Sequence, residues 1–333
     1  MLRYIIKRLI YIIPVLLIMS FLIFGMVSLI PGDPAQIMLG QHVSPEALEA
    51  ARERMGLDDP FLIRYGRFLT DIVRLDFGES LISKRPVSTV LSEKLPATIE
   101  LSTFAMIYAL IVGGAAGVVS AWKQNSIFDY ISITIALFGI SMPIYWLGFM
   151  LILLFAVFMD VLPTAGRLAA EIDPSVLKTN FYLLESLFTG RWQIFQSAVK
   201  HIILPGIALG TIPMAIIARM TRSSLLDVLR QDYMRTARAK GLIFKDVFIH
   251  AIKNAAIPIT TVFGMQFGRL MAGAVLTETV FAWPGMGKWL LDGILQRDFP
   301  VVIGATLTVT FLFVLVNLLT DLTYSLLDPR IKY

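Results

Sequence analysis

The densest chemistry in this sequence lies in one short run, Asp232-Tyr233-Met234-Arg235-Thr236-Ala237-Arg238-Ala239-Lys240-Gly241. Arg235, Arg238 and Lys240 place three cations within six positions, suited to pairing with carboxylates on another protein. Leu242 and Phe244 follow as apolar contacts, and Gly241 supplies a flexible or left-handed turn between them. A second set, Gln266, Arg269 and Glu278, sits inside an apolar stretch. An ionisable group there faces a bundle interior or water, and is a candidate functional residue by default. Arg269 suits either a carboxylate in transit or a polar group on a neighbouring subunit. On one continuous helix Arg269 and Glu278 would stand about 13.5 Å apart on opposite sides, so they would not pair. Enzymatic spacings are missing. His42, His201 and His250 are far apart, and no His-Glu-x-x-His or serine-elbow pattern occurs. There is no Gly-x-x-x-x-Gly-Lys-Ser/Thr loop: Gly287-Lys288 lacks the upstream glycine and the following hydroxyl. The absence of cysteine excludes disulfides, thiolate metal sites and cysteine nucleophiles.

The elements that must position these groups are membrane helices. Of 333 residues, 56% are hydrophobic and 16% charged, and mean hydropathy is +0.74. Soluble domains carry roughly 25% charged residues. A bilayer crossing needs about 20 mostly apolar residues, and six runs qualify: 9–30, 98–121, 131–158, 202–220, 256–281 and 302–325. The first is expected to stay as a helix and not be cleaved as a signal peptide. Its apolar run is too long, and Pro31-Gly32-Asp33-Pro34 stands where a cleavage site would be. Gly113, Gly114, Ala115, Ala116 and Gly117 suit close helix packing in the second run.

Charge sets the orientation. With the N-terminus inside, the segments 1–8, 122–130, 221–255 and 326–333 hold 13 basic and 5 acidic residues, a net of +8. The segments 31–97, 159–201 and 282–301 hold 14 basic and 16 acidic, a net of −2. Both termini are therefore expected in the cytoplasm. The overall charge of +5 follows from the same bias and calls for no nucleic acid. This divides the chain into a first helix with its cytoplasmic lead (1–30), an extracytoplasmic insert (31–97), a transmembrane core (98–325) carrying a cytoplasmic loop (221–255), and a cytoplasmic tail (326–333). In the insert, Ser44-Pro45-Glu46 signals a helix start and Gly56 its stop, while Phe61, Tyr65, Phe68, Leu69 and Ile72 form a stripe after Pro60. The loop 159–201 gathers the aromatics Phe181, Tyr182, Phe188 and Trp192, as interface anchors or as contacts for a soluble partner. In 221–255, Ser224 with Asp227 reads as a cap, opening a helix to about Lys240. A second short helix with Phe244, Val247, Phe248 and Ala251 follows Gly241. Spacing alone leaves two readings: a basic hairpin lying on anionic lipid, or a rigid knob for a groove on a cytoplasmic partner.

In this loop the sequence resembles the inner-membrane permeases of ATP-binding-cassette importers. Their shared motif is Glu-Ala-Ala, three residues, Gly, nine residues, Ile-x-Leu-Pro. Here Arg235-Thr236-Ala237 and Gly241 align, with Ala251-Ile252-Lys253-Asn254 in last place, so the glycine and an alanine match while the glutamate and proline do not. The fuller run from Asp232 to Gly241 is similar to the version in dipeptide, oligopeptide, glutathione and nickel permeases. So are Ile30-Pro31-Gly32-Asp33-Pro34, Met55-Gly56-Leu57-Asp58, Arg219-Met220-Thr221-Arg222-Ser223-Ser224, Trp283-Pro284-Gly285-Met286-Gly287 and Asp328-Pro329-Arg330. The Pro-Gly-Asp-Pro loop resembles the B-type member of a B/C pair, and Ser141-Met142-Pro143-Ile144-Tyr145-Trp146 resembles the dipeptide branch. The resemblance implies an all-α integral membrane protein of the type I importer permease fold, with about six transmembrane helices. It would pair with a C-type permease in a bacterial cytoplasmic membrane, and a binding protein would deliver substrate from outside. Two cytoplasmic ATPases would hold the ATP and Mg, leaving this chain with no cofactor. On this reading Arg235 through Leu242, with Phe244, form the ATPase-coupling site, and the cargo is a dipeptide or short oligopeptide, alternatively glutathione, haem or nickel. A secondary transporter would need its own coupling-ion site in repeated halves, and no internal repeat is visible.

Overall fold

The computed structural model describes residues 2–29, 35–36 and 44–327. The described residues are overwhelmingly helical. Helix α1 (Leu2–Leu29) is followed by the short α2 (Pro45–Met55) and α3 (Phe61–Val73). Then come α4 (Val87–Tyr108), a π-helical turn at Ala109–Gly113 and α5 (Gly114–Trp122). Helix α6 (Ile127–Ser141) leads into α7 (Ile144–Leu151), which runs on as π-helix to Phe158. After α8 (Tyr182–Phe188) comes the 38-residue α9 (Trp192–Leu229). The rest is α10 (Asp232–Ala239), α11 (Phe244–Gly273), α12 (Val275–Val280), α13 (Met286–Leu295) and α14 (Phe299–Leu327). Among the described residues five helices are long and apolar enough to cross a bilayer, or six spans when the bent pair α6–α7 counts as one.

Helix α9 is the hub. It packs against α4, α5, α6, α7, α8 and α11, and its small residues set how closely. A Cβ on Gly210 would stand 2.6 Å from the Ala105 carbonyl oxygen, and one on Gly117 would stand 2.5 Å from that of Ala218. Backbone-to-backbone contact of this kind replaces the hydrophobic drive that lipid removes. Gly117→Leu is expected to lower stability by about 1–3 kcal/mol through overpacking, read as a reduced midpoint of thermal unfolding in detergent. An unchanged midpoint would mean that α5 does not pack on α9 this closely.

Several expectations are revised. The run 131–158 is not one straight span: α6 and α7 meet at a 106° bend. Met142 is extended (ψ 131°) and Pro143 opens α7, because the residue before proline avoids the helical region. The run 256–281 divides at Ala274 into α11 and α12. Arg269 and Glu278 therefore do not share a helix. The expected helix from Ser224 to Lys240 is also divided. Ser224 is buried within α9, which continues to Leu229, and a break precedes α10. The expected second short helix is the first part of the 30-residue α11.

Helix α3 leans on the first span. Ser44 accepts from the Ala47 N–H to cap α2, and Gly56 ends it at φ +60°. The aromatic stripe of α3 packs on α1: Phe68 stacks on Phe24 at 4.9 Å, and Phe61 and Tyr65 meet Phe21 edge-on. The Tyr65 hydroxyl donates to the Leu17 carbonyl at 3.1 Å. Residues 76–86 are tied to the start of α14, where Asp298 accepts from Ser80 Oγ at 2.6 Å and Leu81 N at 3.1 Å.

Candidate coupling site and translocation face

Helix α10 stands between two long helices, and its two faces differ. Met234 is fully buried, in a cluster with Ala121, Leu225, Leu226, Val247, Ala251 and Ala255. Leu242 packs on the same cluster. The turn is closed by backbone bonds from Lys240 N to Thr236 O (3.0 Å), Gly241 N to Arg238 O (3.0 Å) and Leu242 N to Ala237 O (3.3 Å). Gly241 has φ +77°, the left-handed helix end that glycine adopts without cost. Arg235, Thr236, Arg238, Ala239, Lys240 and Gly241 are exposed, and Ala237 is half-buried. The Arg235–Asp232 pair, at 3.8 Å with both side chains in solvent, adds little to stability. The result is a basic knob fixed from beneath by Met234 and Leu242.

One of the expected contacts changes here. Leu242, expected to fill a partner's pocket, serves this chain's own core. Phe244 lies against Trp122 (4.9 Å) and Phe248 (6.3 Å), with its outer side exposed. Ile243, not singled out by motif or spacing, is exposed beside it and completes an apolar tip next to Arg238 and Lys240. Its signal was available: an unpaired apolar residue just after the turn glycine.

The pathway candidates are not brought together. Beyond its first three turns the exposed residues of α11 are Asn254, Pro258, Met265, Arg269 and Ala272, a helical repeat that marks one uncovered face. Gly264 and Gly268 pack instead against Thr320 and Phe313 of α14. Arg269 lies on the open face with no ion pair among the described residues, whereas Gln266 is buried. Glu278 is enclosed by this chain's own groups. It accepts from Thr98 Oγ1 at 2.7 Å and Lys288 N at 2.8 Å, and Thr98 in turn accepts from Met286 N at 2.8 Å. A Cβ on Gly285 would collide with the Glu278 carboxylate, so the Trp283-Pro284-Gly285-Met286-Gly287 loop needs glycine there. Trp283 Nε1 donates to the Ala97 carbonyl at 2.9 Å, pinning the loop to α4.

Two ion pairs brace the ends of the bundle, one buried at both partners and one built on a buried aspartate, and neither was visible as a pair in the sequence. Asp129 accepts from Arg222 Nε (2.7 Å) and Nη2 (2.8 Å), from Asn125 N (3.0 Å) and from the Ser120 hydroxyl. It joins α5, α6 and α9 at the end nearest the basic turn. At the opposite end Arg167 donates to Glu100 at 2.7 Å, and its guanidinium lies 3.8 Å from the Tyr182 ring centre. Glu100 also accepts from Leu183 N at 2.8 Å. The segment 159–191 is thus a folded cap. Within it Glu185 accepts from the Thr179 hydroxyl and from the Lys178 and Thr179 N–H groups, which hold its carboxyl below the usual carboxylate range. The aromatic patch divides accordingly. Tyr182 turns under Arg167, and Phe188 and Trp192 stay exposed.

A helical bundle with one protruding basic turn at a chain reversal is the build of a transport permease. Residues 113–333 match the family described as "Binding-protein-dependent transport system inner membrane component", and residues 1–102 match its N-terminal companion. The chain belongs to this family of ATP-binding-cassette importer permeases and has their type I fold. It is a multi-pass membrane protein, and membership implies partner ATPases and a binding protein. Similar proteins include the dipeptide transport system permease protein DppB of Alkalihalophilus pseudofirmus, 50% identical over all of both chains. The di/tripeptide transport system permease protein DppB of Pseudomonas aeruginosa is 47% identical, over 100% of this chain and 99% of that one. The glutathione transport system permease protein GsiC of Escherichia coli is 39% identical over all of both.

Proposed function

We propose that this chain is the B-type permease subunit of an ATP-driven importer of dipeptides or short oligopeptides in a bacterial inner membrane. It forms half of the pore beside a similar C-type subunit, with both termini in the cytoplasm. Two ATPases, which bind the ATP and Mg, engage the basic turn, and an extracytoplasmic binding protein delivers peptide to the cap at residues 159–201. The observation that carries this reading is the exposed run Arg235–Gly241, anchored by Met234 between two long helices. Full-length similarity to dipeptide permeases supports the cargo, and the glutathione permease keeps that tripeptide as the second choice.

Closure of the ATPases moves the knob. Because α10 is clamped through Met234, and α11 begins at Phe244, the displacement passes along α11 to its open face. From Phe244 to Arg269 the helix rises about 37 Å, so a small tilt at the turn becomes a larger movement at the pore wall. Arg269 then meets the peptide carboxylate as it passes. Arg269→Ala is expected to slow uptake of a free dipeptide at least about tenfold, as loss of one charge-assisted hydrogen bond predicts. Uptake of the C-amidated analogue should change little. Equal losses for both would place Arg269 at a subunit contact instead.

A further inference from the structure

A cavity of about 310 Å³ lies between α5, α6 and α9, outside the coupling and pathway residues. Its charges do not balance. Arg222 is spent on Asp129 through two hydrogen bonds. Arg219, one turn away on α9, also lines the cavity, is exposed, and has no acidic partner among the described residues. The pairing of α6 with α9 sets its depth. Asp129 meets Arg222 and Gly139 meets Thr211, so Arg219 lies level with Ser132, and Ile133 is the next residue along. From that level Ile133, Leu137 and Ile140 line the cavity toward the bilayer centre, all exposed. An unpaired cation with a hydroxyl in the same lining at one end, and an apolar wall of about 10 Å leading from it, match a phosphodiester head and its acyl chain. Basic pockets between membrane helices on the cytoplasmic side favour anionic lipids for this reason.

The geometry points to a site for one anionic phospholipid, with its phosphate on Arg219 and Ser132 and a chain along Ile133–Ile140. The assignment to the cytoplasmic leaflet rests on the orientation proposed above, which labelling reads separately. A bound lipid supplies the counter-charge that Arg219 lacks and fills the seam beside the Asp129–Arg222 brace. It would thereby link the packing of α6 on α9 to the composition of the membrane.

The test uses the intact importer in nanodiscs of phosphatidylcholine with a minor fraction of phosphatidylglycerol, released and weighed by native mass spectrometry. The wild type should retain one phosphatidylglycerol that Arg219→Gln loses, with occupancy falling at least about tenfold. Arg219→Lys should keep it. Ile133→Trp, which fills the groove and leaves the charge, should also lose it. Equal retention by wild type, Arg219→Gln and Ile133→Trp would overturn the proposal. So would displacement of the lipid by inorganic phosphate, which marks a plain anion site. Cross-linking of Leu137→Cys to the sister subunit, clean because the chain has no cysteine of its own, would likewise make the groove a subunit interface.

Discussion

Asp129→Ala is expected to remove about 3–5 kcal/mol of stability and most of the folded yield, because a buried ion pair that loses one partner leaves an uncompensated charge. Asp129 is 1% exposed and receives four hydrogen bonds, two of them from Arg222. No nearby carboxylate among the described residues takes its place. The Arg222 side chain retains 25% of its exposure, so water reaches part of the guanidinium and the loss belongs toward the lower end of that range. The damage comes from the orphaned arginine, so the double change Asp129→Leu with Arg222→Leu should recover much of it. Thermal unfolding of the purified protein, with membrane yield beside it, reads both results. If the single change unfolds at the wild-type temperature, α6 is held to α9 by packing alone.

Arg238→Glu is expected to cut ATP-coupled peptide uptake at least about tenfold while leaving membrane insertion and unfolding temperature unchanged. Arg238 is exposed and makes no ion pair among the described residues, so its reversal breaks no contact within the chain and alters only the charge at the end of α10. If the basic turn docks on carboxylates of an ATPase as proposed, the reversal sets like charges together, which costs several kcal/mol, more than the ~1.4 kcal/mol of one tenfold step. Uptake and ATP hydrolysis should fall together when measured on the reconstituted importer. Normal uptake with Arg238→Glu would remove Arg238 from the contact and leave Ile243 and Phe244 to carry it.

The hydrophobic runs were legible because lipid demands about 20 apolar residues whatever they pack against. What they hid was direction. The run 131–158 is apolar throughout, yet the Met142-Pro143 step turns the chain through 106°, an effect of proline on its neighbour that hydropathy does not register. Ser224 misled for a related reason. A serine three residues before an aspartate satisfies a local capping rule, but Leu225 and Leu226 are buried in the core beside Met234 and carry α9 past it. Tertiary burial outweighed the cap. Gly241 was readable because a left-handed turn is a property of one residue, here at φ +77°. The braces were not, since Asp129 and Arg222 stand 93 residues apart, and Glu100 and Arg167 stand 67 apart. Glu100, at the start of the second apolar run, reads as an interhelical hydrogen-bond site, but nothing local marks which residue it or Asp129 pairs with. Glu278 shows the same limit: its position in an apolar run made it a pathway candidate, and only the fold reveals Thr98 and the Lys288 N–H around it.

Coupling of this kind depends on the basic turn lying in the cytosol against an ATPase. The chain contains no cysteine, so Ala239→Cys, at an exposed position on α10, gives a single reporter. In vesicles made from cells expressing the whole importer, a membrane-impermeant maleimide should label this cysteine in inside-out but not right-side-out preparations. A short bifunctional reagent should join it to an ATPase subunit. Labelling from the right-side-out face, or a cross-link to the binding protein in place of the ATPase, would contradict a cytosolic, motor-bound turn.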